Sequence, residues 1–147
     1  MSETTDSSNS IEDVTIHSLK VTMSGLEALR CNSLQCADLL VSDSDSGLAQ
    51  FKDLAGNIRD FYVFENDIRS IFGVDGEGIR DASDDLKRAE ETLAELMADM
   101  VASLDANDLQ RLAGILKTSV PEVLDRFLRL LPLLRQHIIN EHVVTTC

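Results

Sequence analysis

An acidic, glycine-rich segment over residues 73–84 carries carboxylates that could bind a divalent cation. Its candidate ligands are Asp75, Glu77, Asp81 and Asp84. In the twelve-residue calcium loop of an EF-hand, these side chains would occupy positions 3, 5, 9 and 12. Gly73 would then stand at position 1, where an Asp ligand is needed, and Arg80 at the apolar position 8. We therefore expect no metal site here, and interpret the segment as an acidic turn before a helix, where negative charge is favourable.

The segment His17-Ser-Leu-Lys20 places a histidine and a lysine three residues apart. This H-x-L-K pattern resembles the core of histidine phosphotransfer domains. The resemblance implies that His17 accepts a phosphoryl group on an exposed helix and that Lys20 helps to hold it. Where that family has a glycine four residues after the histidine, this chain has Val21. The resemblance spans four residues and defines one alternative function, a phosphotransfer-like signalling module.

His137 and Glu141 are four residues apart, which places both on one face of a helix. Together with acidic residues of an earlier helix, such as Glu91 and Glu95, they define a second alternative, a metal-dependent helical enzyme. A di-metal carboxylate bundle needs two E-x-x-H motifs, and the sequence has none. It also lacks the H-E-x-x-H, G-x-S-x-G, P-loop and dinucleotide-binding motifs. We therefore expect no catalytic residues, no metal and no cofactor, and predict that the protein is not an enzyme.

The net charge of the chain argues against two classes of partner. Its 147 residues include 26 acidic and 13 basic side chains, for a formal net charge of −13. Nucleic acids and anionic membranes are bound through clustered Lys and Arg, which the sequence lacks. The N-terminus has the pattern of neither a signal nor a transit peptide, and three cysteines cannot all pair within one chain. We expect a cytoplasmic protein with reduced thiols that binds neither nucleic acid nor a membrane.

The elements that position these residues are predicted to be helices, because apolar residues recur every three or four positions. The polar residues 1–10 are expected to form a disordered tail, and residues 11–147 a single domain. The first helix is predicted over 11–41, or with a restart at Ser24. A short strand over Val14–Val21 is the competing interpretation, because that stretch is rich in β-branched residues.

Four more helices are predicted from caps and periodicity. The second helix spans about 47–72, and the third begins near Ser83. The fourth helix follows Asp105 and Asp108, and the fifth follows Ser119. Pro132 lies inside the last helix and is expected to kink it near residues 128–132. The sequence thus predicts an all-α protein, an antiparallel bundle of four to five helices with a kinked and very apolar C-terminal helix.

This last helix is apolar over much more than the ~100° stripe of a one-sided surface helix. Its candidate interaction residues are Phe127, Leu130, Leu131, Leu134 and Ile138. Residues 119–147 contain three acidic and three basic side chains, so the net negative charge lies elsewhere. A neutral helix of this kind is either the centre of the core or a subunit interface. We predict an apolar interaction surface and a homodimer, and thus a helical protein–protein interaction module, adaptor or chaperone-like, that binds another protein or itself.

Overall fold

The computed structural model describes the backbone of residues 3–143 and the side chains of residues 12–141, and this part of the chain is all-α. Its α-helices are α1 (Glu3–Ser42), α2 (Ser44–Phe72), α3 (Leu86–Asp105), α4 (Leu109–Gly114) and α5 (Val120–Ile138). A 3-10 turn (Gly76–Gly78) and the antiparallel strands β1 (Arg80–Asp81) and β2 (Asp84–Asp85) connect α2 to α3. Two π-helical segments, Ile115–Ser119 and Ile139–Val143, follow α4 and α5. The predicted fold class is confirmed, and within residues 3–143 no helix combines the length and apolar character needed to cross a membrane.

α1 is one continuous helix, so neither the strand over Val14–Val21 nor the helix restart at Ser24 is correct. The helical spacing of Leu19 and Leu26 buries both side chains in the core. This burial outweighs the weak strand preference of the β-branched residues.

The backbone of α1 begins at Glu3, inside the segment 1–10 for which we predict disorder. The side chains of this segment lie outside the described ones. The disordered tail and the single domain over 11–147 therefore both stay predictions.

α1 and α2 form a helical hairpin with one residue, Asp43, between them. The Asp43 carboxylate accepts a hydrogen bond from the Ser46 backbone N–H and caps α2. The reversal brings the Gly47 backbone onto Leu40, so closely that a Cβ on Gly47 would lie 2.6 Å from the Leu40 nitrogen. The Cys36 thiol donates to the Gly47 carbonyl at 3.4 Å. Glycine is therefore required at this crossing.

The connection from α2 to α3 contains a small sheet that the sequence does not predict. Gly73 ends α2 in the left-handed region with φ of 62°. Ala82, in the turn between β1 and β2, has φ of 51°. Asp85 caps α3 by accepting a hydrogen bond from the Arg88 N–H at 2.9 Å. The predicted cap, Ser83, lies in the turn instead, because the two strands delay the start of the helix.

α4, the π segment Ile115–Ser119 and α5 follow one another without a break, so the prediction that Ser119 caps a separate helix is wrong. A π turn pairs each carbonyl with the N–H five residues ahead, and Leu116 would pair with Pro121, which has no N–H. The buried Ser33 hydroxyl donates to the Leu116 carbonyl instead, at 2.6 Å. This bond satisfies the buried carbonyl that the proline leaves free.

α5 lies in the centre of the core. The five residues predicted to form an interaction surface are at most 1% exposed: Phe127, Leu130, Leu131, Leu134 and Ile138. They are therefore interior residues, because α1 and α3 both pack against α5. The ring of Phe61 also packs edge-on against Phe127, with centroids 4.9 Å apart.

The second half of α5 passes through Pro132 without leaving the helix. The antiparallel arrangement of the helices and the kink at this residue stay predictions. Further along, the Arg135 guanidinium donates to the Ile16 carbonyl at 3.4 Å, so the first and last helices meet.

Candidate functional site

An apolar groove lies between α2 and α3 and has a volume of about 720 Å³. We call it the α2–α3 groove. Its α2 wall consists of Leu48, Phe51, Lys52, Ala55, Gly56 and Arg59, and its α3 wall of Met97, Met100, Val101 and Leu104. Eight of these ten residues are uncharged, so the groove presents a mainly apolar surface.

Among the described side chains, hydrogen bonds join α2 to α3 at one end of the two helices. Near the connection between the helices, the Arg69 guanidinium makes a bidentate contact with the Glu90 carboxylate. The third guanidinium nitrogen, Nη1, donates to the Val74 carbonyl at 3.1 Å. The α2–α3 groove lies at the other end of the two helices, where no such contact joins them among the described side chains.

The bottom of the α2–α3 groove is open at Gly56. A Cβ built on Gly56 meets no heavy atom within 4 Å. On the facing wall, Val101 is 57% exposed and Leu104 is 40% exposed. Large apolar side chains here contact water, and covering them would be favourable by ~25 cal/mol per Å² of apolar surface.

The charged side chains of the α2–α3 groove are both basic. Lys52 and Arg59 are exposed and lie seven residues apart on α2. Arg59 contacts the adjacent Asp60 at 3.7 Å, but both side chains are more than 70% exposed, so this pair is weak. A local positive edge therefore borders an apolar groove on a protein of net charge −13.

A buried carboxylate lies next to the Arg69–Glu90 pair. Glu65 is 1% exposed, and as a carboxylate neither of its oxygens has a hydrogen-bond partner among the described residues. Burial, together with a hydrogen bond to Glu90 and repulsion from its charge, raises the pKa of Glu65 to about 10, although Arg69 opposes the shift. Protonated Glu65 can donate to Glu90, which satisfies one of its oxygens. The site is therefore a carboxyl–carboxylate pair held by one arginine.

A second, smaller groove of about 440 Å³ lies between α1 and α2. Its apolar lining includes Leu26, Phe61 and Phe64, and Gly25 leaves it open. The one charged residue in its lining is Asp60. The two grooves thus border α2 on the α1 and α3 sides and differ in the sign of their charge.

The predicted phosphotransfer residues lie on α1. His17 and Lys20 are both exposed, and Val21 is 56% exposed. His17 and Lys20 line neither groove, whereas Val21 lines the smaller groove between α1 and α2.

The acidic residues weighed as calcium ligands make contacts within the chain. Asp84 accepts two hydrogen bonds from Arg126, at 2.8 and 2.7 Å, and these lower the pKa of its carboxyl. Glu77 pairs with Lys87 at 3.1 Å. The other two candidates, Asp75 and Asp81, are exposed, and Asp75 accepts a hydrogen bond from the Glu77 N–H.

The residues of the proposed metal-dependent enzyme are likewise not gathered. His137 is partly buried on α5, whereas Glu91 and Glu95 are exposed on α3. In the part of the chain that the structure covers, no three His, Cys, Asp or Glu side chains form a group that could hold a metal ion.

The α2–α3 groove is not among the features that the sequence predicts. The signal was the width of the apolar stripe of α3, where Met97 and Val101 flank the buried Met100. Such a width predicts contacts on two sides of a helix, but it does not say whether the chain itself supplies both.

Comparison with family models, curated proteins and solved structures finds no match to this chain.

Proposed function

We propose that this protein is a non-enzymatic interaction module, adaptor or chaperone-like, that binds a helix of another protein in the α2–α3 groove. The observation that carries the proposal is the open space above Gly56, which lets side chains of a partner reach the backbone of α2. The surrounding walls are apolar and include Met97 and Met100. Methionine adapts its shape to different partners, as in other helix-binding grooves.

The dimensions of the groove favour a helix as its occupant. Residues 48–59 of α2 form one wall, which spans about 16 Å at 1.5 Å per residue. This length equals about three turns of a bound helix. Both walls are helices, so a third helix can pack into the space between them through interdigitating side chains.

The proposed activity is binding, with no catalytic step, metal or cofactor. We place the protein in the cytoplasm because the thiols of Cys31 and Cys36 are unpaired. The homodimer was predicted from the apolar surface of α5, and the five residues that motivated it are interior. A second copy of the chain is therefore an alternative occupant to be tested.

The test uses a displayed library of amphipathic helical peptides and two matched variants. Gly56→Leu fills the α2–α3 groove, whereas Gly114→Leu adds the same side chain at a glycine that lines neither groove. Neither new Cβ meets an atom within 4 Å, so we expect both variants to fold. Peptides selected on the wild type should lose binding to Gly56→Leu and keep it with Gly114→Leu. Binding should also shift the methyl resonances of Met97 and Met100.

Two results would contradict the proposal. One is the absence of any selected peptide whose binding depends on position 56. The other is a dimer, seen by light scattering, that Gly56→Leu dissociates, because a second copy would then occupy the groove.

A further inference from the structure

We infer that the helix bound in the α2–α3 groove carries two carboxylates seven residues apart, one for Lys52 and one for Arg59. The inference rests on the proposed function and specifies the chemistry of the partner. Both bases line the groove and are exposed, and among the described side chains neither forms a strong internal pair.

The spacing of the two bases selects the spacing of the acids. Lys52 and Arg59 are separated by two turns of α2, about 10.5 Å along its axis. Two side chains seven residues apart on a partner helix that runs along the groove are separated by the same distance. Two acids four residues apart on the partner helix are separated by only about 6 Å along its axis, so they can contact one of the two bases at a time but not both.

The rest of the lining determines what stands between these acids. The groove offers the apolar side chains of Leu48, Met97 and Leu104 and the open position at Gly56. The partner helix therefore presents apolar residues three and four positions after its first acid, on the face that enters the groove. A nucleic acid or an anionic lipid surface fits poorly, because two bases on an apolar wall do not form the clustered basic patch those ligands need.

A second copy packed through an antiparallel α2 also fits poorly. Asp60 lines the groove on the α1 side of α2, and Lys52 and Arg59 line the groove on the α3 side. A two-fold axis that pairs antiparallel α2 helices brings like sides of the helices together, so the bases of one copy would face the bases of the other. An acidic partner helix meets two bases at this edge. Asp60 lies 3.7 Å from Arg59 but lines the groove on the other side of α2, and acids more than ~8 Å away are screened at physiological salt.

The experiment compares three synthetic helical peptides of about four turns, or ~14 residues, with the same apolar face. The first has two Glu seven residues apart, the second has Lys at both positions, and the third has two Glu four residues apart. Calorimetry against the wild type should show the first peptide binding up to about 30-fold more tightly than the second, which forms neither pair, and up to about 5-fold more tightly than the third, which forms one, because each exposed pair contributes up to about 1 kcal/mol. The double variant Lys52→Glu/Arg59→Glu should reverse the order of the first two peptides.

The outcomes separate this inference from the proposed function. If the three peptides bind equally and Gly56→Leu abolishes binding of all of them, the groove binds helices without the carboxylate pair, and this inference is overturned. If no peptide binds the wild type at about 1 mM, the helix-binding function itself is wrong. If the double variant prefers the Lys peptide over the first Glu peptide, and Gly114→Leu keeps the preference of the wild type, the result supports both the carboxylate pair and the helix-binding function.

Discussion

At the scale of single residues, Glu65 makes stability depend on pH. Its pKa is 4.5 in ordinary surroundings and about 10 in the folded protein, so the folded state binds its proton more tightly than the unfolded chain does. The stability due to this proton is fully present below pH 4.5 and is lost as the pH rises through about 10. Glu65→Gln removes the titration and leaves an amide that can donate to Glu90. We expect the variant to be more stable than the wild type by about 1–3 kcal/mol at pH 7, with a gain that shrinks toward pH 4.

Thermal unfolding followed by circular dichroism at several pH values measures this effect. Glu95→Gln is the control, because it removes an exposed carboxylate from α3. A Glu65→Gln variant whose melting temperature falls with pH as steeply as that of the wild type would show that Glu65 is not the group responsible.

Ser33 stabilises the protein through one hydrogen bond to the π segment. Ser33→Ala leaves the Leu116 carbonyl buried without a donor, and we expect a loss of about 1–3 kcal/mol in denaturant unfolding. Pro121→Ala restores an N–H at position 121, so Ser33→Ala should be less destabilising in that background. An equal effect of Ser33→Ala in both backgrounds would mean that the proline does not create the need for Ser33.

At the scale of elements, two glycines of the same helix should respond in opposite ways to alanine. Gly47→Ala forces a Cβ to within 2.6 Å of the Leu40 nitrogen, and we expect a loss of about 1–3 kcal/mol because backbone must move. Gly56→Ala meets nothing, and we expect a gain of about 0.5–1 kcal/mol from the better helix former. Urea unfolding of both variants measures this difference. Similar effects at both positions would contradict the tight crossing of α1 and α2.

The sequence predicts long elements better than short ones. The periodicity of α2 locates that helix within a few residues, because its apolar positions recur over many turns. The strands β1 and β2 contain two residues each, which is too short for an alternating pattern. Ser119 and Pro121 have the pattern of a helix start. The same pattern is compatible with a π turn here, because the Ser33 hydroxyl donates the hydrogen bond that the missing N–H of Pro121 cannot.

At the scale of the whole molecule, the apolar α5 is an internal helix and not an exposed surface. Leu130 is 1% exposed, so Leu130→Asp should unfold the protein by burying a charge. Leu133, on the same helix, is 40% exposed, and Leu133→Asp should change stability by less than about 1 kcal/mol. Circular dichroism and light scattering distinguish the outcomes. A folded monomeric Leu130→Asp variant would instead place this residue at a subunit interface.

The candidate site illustrates what one sequence leaves undetermined. The width of the apolar stripe identifies α3 and α5 as helices with two contact faces. Which element covers each face depends on how the helices are placed in space. Neighbouring helices cover α5, whereas Met97 and Val101 of α3 border an open groove. The spacing of Lys52 and Arg59 can be read from the sequence, but the sequence does not show that both residues line the same groove.

The hydrogen bond from Arg135 to Ile16 has a consequence for the synthesis of this protein. The two residues are 119 positions apart, so at 5–20 residues per second a ribosome adds the second about 6–24 s after the first. During that interval α1, with its apolar residues Leu19 and Leu26, lacks the final helix that packs against it. The earliest partner that can cover them is α2, which follows after a single residue. We therefore expect the tight hairpin at Asp43 and Gly47 to let α2 cover part of the apolar face of α1 before α5 is synthesised.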